Sequence, residues 1–191
     1  MNTKKSVLPT KKIVMIAMLS AISVILLMIP FLRMPLLPAA PFLEYDAMDI
    51  PILVGGFLFG PVVGIAITAI SALIQGATVS SGSGIYGIIM HFIATGAFVF
   101  ISSLVYRKMK STKGLVLGLI VGVIAMVLIM IPSNLLVTPL FMGTPREVVL
   151  GMILPVIIPF NLLKASINAV AVFALFKVIK KPLQVYVDKS K

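Results

Sequence analysis

The sequence predicts an all-α integral membrane protein, a bundle of six transmembrane helices with both termini cytoplasmic. Three observations predict it. The 191 residues are 60% hydrophobic and 11% charged, with a mean hydropathy of +1.20, whereas a soluble domain is nearer half apolar and about a quarter charged. Several apolar stretches reach roughly 17 to 25 residues, the length that crosses a bilayer. Thirteen of the sixteen Lys and Arg residues fall into three groups, and each group flanks an apolar stretch.

The basic groups are Lys4, Lys5, Lys11 and Lys12; Arg107, Lys108, Lys110 and Lys113; and Lys177, Lys180, Lys181, Lys189 and Lys191. Cytoplasmic loops carry positive charge in this way, and such groups also meet anionic headgroups of the lipid bilayer. The net charge of +11 is therefore topological. No basic stripe is interleaved with aromatics, which excludes a nucleic-acid partner. The absence of cysteine excludes a disulfide framework, a Cys-based metal site and thiol catalysis. The length fits a single membrane domain over 1–191, with no room for a second catalytic domain.

Residues 1–12 form a basic cytoplasmic tail. The first helix runs over 13–30; its apolar stretch is too long for a signal peptide and lacks a cleavage site, so it is read as retained. Pro35, Pro38 and Pro41 make 31–50 a loop rather than a helix, and long ordered loops are often lids or binding loops. The second helix starts at Asp49, read as its N-cap, with Pro51 in the first turn. Gly60-Pro61 ends it after about a dozen residues, short for a bilayer. The third helix covers 61–77, a Ser/Gly loop 78–84, and the fourth helix 85–106. The fifth covers 114–137 with a kink at Pro132. A polar loop over 138–147 precedes the sixth helix, which runs to 180 and is interrupted by Pro155 and Pro159. A second basic cytoplasmic tail covers 181–191. The loops 31–50, 78–84 and 138–147 then share the outer side, where they converge.

Three of the five acidic residues, Glu44, Asp46 and Asp49, lie within six positions. Charges next to lipid are costly and usually mark substrate or ion pathways. Lys164 is the matching cation. It lies some nine residues past Pro155, roughly 13 Å of helix, close to mid-membrane and too deep to snorkel. The pairing expected is Glu44 or Asp46 of the loop reaching down to Lys164, with Asp49 spent on capping. The competing reading of Lys164 is an ion pair that only staples two helices. Asn161 and Asn168 share its helix face; Asn134 and Thr138 stand four residues apart near the outer end of the fifth helix. Amides suit a neutral ligand with mixed polar edges, or else bond one helix to another, the role expected of Asn168. Tyr45, Leu43 and Met48 either close over a flat apolar ligand or pack the loop onto the bundle. Gln75 and Tyr86 are weaker pocket candidates. His91 is the only histidine; without acidic neighbours in sequence it makes no metal site or triad, so no metal and no cofactor is expected. Gly82 and Gly87 have Walker-A spacing, but Ile88-Ile89 replace the Lys-Ser/Thr pair, so any ATP hydrolysis belongs to a partner. A membrane enzyme lacks a visible nucleophile, base or metal set. A stand-alone proton-coupled carrier using Lys164 and Glu44 stays open.

Ala17 and Ala21 place two small residues on one face of the first helix, either a docking surface or internal packing; Gly114, Gly118 and Gly122 share the spacing.

The run from Phe42-Leu43-Glu44-Tyr45-Asp46 through Asp49-Ile50-Pro51 to Phe57-Leu58-Phe59-Gly60-Pro61 resembles the riboflavin-specific substrate-binding subunits (S components) of energy-coupling-factor (ECF) transporters. So do the six short helices, the length and the basic tails. The resemblance covers essentially the whole chain. It implies a bacterial plasma-membrane importer subunit that captures riboflavin under its first loop. It implies a transmembrane coupling subunit, docked at Ala17 and Ala21, that in turn carries two cytoplasmic ATPases. It places Glu44, Asn134, Asn161 and Lys164 in the site, with Tyr45, Asp46 and Thr138 completing the candidate set. Riboflavin suits such residues independently: a flat, largely apolar tricycle with one polar edge wants an apolar slot with a few placed polar groups. Without tryptophan, stacking falls to Tyr or Phe, or to Leu, Ile and Met contacts.

Overall fold

The computed structural model describes residues 10–188. Lys4, Lys5, Lys189 and Lys191 of the two expected tails lie outside the described residues. Six helical rods follow one another. They are α1 (Thr10–Met28), α2 (Asp49–Phe59), α3 (Pro61–Ala77), α4 (Gly84–Met109), α5 (Thr112–Met142), and a last rod in which α6 (Arg146–Met152) passes through a π-helical turn (Ile153–Ile157) into α7 (Ile158–Asp188). By length and composition three of them can cross a membrane: Ser81–Met109, Thr112–Met142 and Arg146–Lys180. The helices α1 to α3 are shorter and apolar; six helices are present as expected, with α2 short and α3 over the expected 61–77.

The all-α expectation needs one amendment. The first loop holds a small antiparallel hairpin, β1 (Arg33–Pro35) with β2 (Glu44–Asp46), in the register Arg33 opposite Asp46 and Pro35 opposite Glu44. Prolines bar this stretch from a helix but not from an edge strand.

The hub of the bundle is α2. It is buried from Pro51 to Phe57, as a helix apolar on every side should be, and it packs against α1, α3, α4 and α7. Gly60 takes φ +100° between α2 and α3, a conformation that favours glycine and lets the chain reverse at once. The tightest helix pair is α4 with α5. A Cβ at Gly118 would stand 2.7 Å from the Ser102 carbonyl oxygen, so the glycine stripe of α5 serves close packing. The small pair Ala17 and Ala21 lies instead on the exposed side of α1.

Two boundaries differ from expectation. The fifth helix continues through Pro132 and Pro139 to Met142, shrinking the loop read over 138–147 to 143–145. Next to Pro132 two side chains bond carbonyls of the preceding turn, Ser133 Oγ donating to Ile129 at 2.8 Å and Asn134 Nδ2 to Met130 at 2.8 Å, which keeps their polar groups satisfied away from water. In the last rod Pro155 falls inside the π turn, a local widening often found at functional sites.

Candidate functional site

One end of the bundle encloses a cavity of about 360 Å³, within the size range of small-molecule sites. The first loop supplies Arg33, Phe42, Leu43, Glu44 and Asp46; the end of α3 and the following turn supply Gln75, Val79 and Ser80. Behind these stand Tyr86, Met90 and His91 of α4, then Met126, Met130, Asn134 and Thr138 of α5, and Phe160, Asn161 and Lys164 of α7. Apolar side chains make up the larger part of the wall, interrupted by polar side chains from the first loop, α4, α5 and α7. The Tyr86 and Phe141 rings lie 6.1 Å apart on one side.

The charged anchor is Lys164 with Asp46, Nζ to Oδ2 2.8 Å. Both side chains are at least nine-tenths buried. Of the two partners expected for Lys164, Asp46 is the one that reaches it: Glu44 accepts instead from Arg33 Nε within the hairpin, and Arg33 also donates to the Val79 carbonyl at 3.3 Å. Sequence reasoning missed Arg33. The signal was present, since Arg33 stands outside the three basic groups and shares a loop with the acids. Burial alone would raise the Asp46 carboxyl pKa, but the Lys164 ammonium, His91 and the Met48 N–H outweigh it and hold the carboxyl below the usual range.

Asp49 is also corrected. It makes no side-chain cap; the N-cap position is Met48. Its carboxylate is fully buried and accepts from Thr95 Oγ1 at 2.7 Å and Asn168 Nδ2 at 3.2 Å. His91 Nε2 stands 3.9 Å from it, so His91 does have acidic neighbours in space. Ligand atoms of Asp46, Asp49 and His91 lie within 4.8 Å of one another. All four carboxylate oxygens nevertheless accept hydrogen bonds, from Met48, Lys164, Thr95 and Asn168. Lys164 supplies the positive charge that such oxygens attract, and the group forms a hydrogen-bonded ion network.

Asn168 is the hinge-pin of that network. Its Nδ2 donates to the Asp46 carbonyl at 3.1 Å and to Asp49, and its Oδ1 accepts from the Tyr45 hydroxyl at 3.0 Å. Tyr45 is thereby buried against α7 and does not line the cavity; burial, then the Asp46 and Asp49 charges, raise its phenol pKa. Asn161 donates to the Ile157 carbonyl at 2.8 Å, beside the π turn. Thr138 donates to Asn134 Oδ1 at 2.9 Å. The cavity brings together Glu44, Asp46, Asn134, Thr138, Asn161 and Lys164. The weaker candidates Gln75 and Tyr86 line it as well; Gln75 Oε1 is buried without a partner and needs a donor from whatever fills the space.

A family model described as "ECF transporter, substrate-specific component" matches residues 11–176. The chain belongs to that family. Curated relatives of this S component include the riboflavin transporter FmnP of Bacillus subtilis, 32% identical over 90% of this chain and 93% of the relative. The riboflavin transporter RibU of Streptococcus thermophilus is also 32% identical, over 92% of this chain and 83% of its own. A solved S component of a bacterial ECF transporter superposes with a TM-score of 0.76 at 31% identity, covering 91% of this chain and 98% of that one. Membership makes this a multi-pass bacterial membrane protein that serves transport.

Proposed function

We propose that this S component captures riboflavin in the 360 Å³ cavity and carries it across the membrane as the substrate-specific subunit of an ATP-driven importer. One observation carries the reading: a largely apolar slot in which Asn134, Thr138, Asn161 and the Asp46–Lys164 pair are placed among the polar groups, beneath a hairpin that folds over it. Such a slot takes a flat, neutral molecule with one polar edge; a strongly anionic ligand would call for several unpaired cations. Relatives named as riboflavin transporters support the choice among flat nutrients. Both termini are cytoplasmic, in keeping with the basic groups, so the cavity opens outward. The exposed Ala17 and Ala21 face of α1 docks on a transmembrane coupling subunit, which two cytoplasmic ATPases drive. A stand-alone carrier relaying protons between Lys164 and Glu44 is disfavoured, because the two residues take different partners.

Riboflavin titration of purified Lys164→Ala and Asn161→Ala tests the site. Both variants are expected to insert and fold but to bind at least tenfold more weakly; unchanged affinity removes that residue from the site. Uptake measured with and without the coupling subunit and ATPases tests the coupling. Full uptake by this chain alone, collapsing with the proton gradient, would leave the carrier reading standing.

A further inference from the structure

Away from the cavity, α5 and α7 leave an apolar groove of about 510 Å³ on the outside of the bundle. Val116, Ile120 and Ile124 line one side and Leu162, Val170 and Phe173 the other. Its origin is the glycine stripe of α5. Gly118 and Gly122 draw α5 onto the α4 backbone, which turns the 116–120–124 stripe outward and leaves Ile120 52% exposed. A turn of only three residues, 143–145, joins the two rods, so they run antiparallel. Val116 and Phe173 therefore mark one end of the groove and Ile124 and Leu162 the other, about 12 Å apart along the helix.

The Val116–Phe173 end is basic. Lys113 lies one turn before Val116. Lys177 lies one turn after Phe173, with its Nζ 5.1 Å from the Phe173 ring centre. Lys180 is used differently, folded over the Tyr106 ring at 5.4 Å. Among the described residues no carboxylate pairs with Lys113 or Lys177. An apolar slot that runs up to two ammonium groups at a membrane surface is complementary to a molecule with an apolar tail and an anionic head.

We propose that this groove is a binding site for one anionic phospholipid, with an acyl chain between α5 and α7 and the phosphate on Lys113 and Lys177. The test is native mass spectrometry of the full chain in detergent, titrated with phosphatidylglycerol and phosphatidylcholine of identical acyl chains. The wild type is expected to retain phosphatidylglycerol the more tightly. Lys113→Gln with Lys177→Gln is expected to weaken it roughly twenty-five-fold, at about fivefold per lysine, and to abolish the preference. Ile120→Trp, which fills the groove, is expected to weaken both lipids. Glycerophosphate alone is expected not to compete. Unaltered thermal unfolding of each variant serves as the folding control. Equal affinity of the wild type for both lipids, or undiminished phosphatidylglycerol binding in the double lysine variant, overturns the proposal. So does a cross-link from position 120 to a helix of the coupling subunit in the assembled transporter, which would make the groove a protein-docking face.

Discussion

Asp46→Asn distinguishes the structural account from what the sequence alone suggests. Asp46 and Lys164 have side chains only 5% and 9% exposed. Removing one partner of such a buried pair strands the other charge, at a cost of about 3–5 kcal/mol. The Arg33–Glu44 pair is 27% and 38% exposed, a setting in which an ion pair contributes about 0.2–1 kcal/mol. Asp46→Asn should therefore lower the thermal unfolding temperature sharply and weaken riboflavin binding, because the loop that covers the cavity loses its anchor on α7. Glu44→Gln should cost about 1 kcal/mol of stability at most and change the affinity by about fivefold at most. Adding Lys164→Met to Asp46→Asn should restore part of the stability, because no unpaired buried charge then remains. Differential scanning fluorimetry and flavin fluorescence titration in detergent read both properties. If Glu44→Gln proves as damaging as Asp46→Asn, or the double variant is less stable than the single, the assignment of Lys164 to Asp46 is wrong.

Tyr45→Phe removes the hydroxyl that donates to Asn168; stability should fall by about 1 kcal/mol in a thermal melt, with a smaller effect on affinity. Gly118→Ala presses a methyl toward the Ser102 carbonyl and should cost about 1–3 kcal/mol. Gly151→Ala, which meets nothing within 4 Å, should be neutral or slightly stabilising in the same assay. Trp at Ala17 or Ala21 should stop riboflavin uptake while leaving binding by the purified protein intact; joint loss would make that face internal packing. The pH dependence has a definite sign. The Asp46 carboxyl is held below its ordinary value of 3.8, so its pairing is complete at neutral pH and is lost as pH falls through the depressed value. Loop stability attributable to Asp46 should be flat from about pH 6 to 8, as hydrogen exchange at 44–48 would register.

Much of this was legible in the chain. Asn134, Thr138, Asn161 and Lys164 are polar residues at helical spacing in otherwise apolar runs, where lipid leaves them few uses, and all four line one cavity. The break at Gly60 and the proline-rich first loop follow from backbone rules. What stayed hidden depends on distance in space. Glu44 and Asp46 stand two apart on one strand, and no local rule says which of them meets a lysine 118 residues from Asp46. Asp49 has the sequence of a cap, yet its environment is made by Thr95 and Asn168 from other helices. The fifth helix is expected to end before Pro139, yet α5 accommodates Pro139 as it does Pro132, with Ser133 and Asn134 bonding backbone carbonyls of the preceding turn.

The central claim is most directly tested by the absorption and fluorescence of the wild-type protein purified in detergent and titrated with riboflavin. Saturable quenching of the flavin at one molecule per chain is the predicted result. A folded, monodisperse sample that neither carries nor quenches the flavin contradicts it.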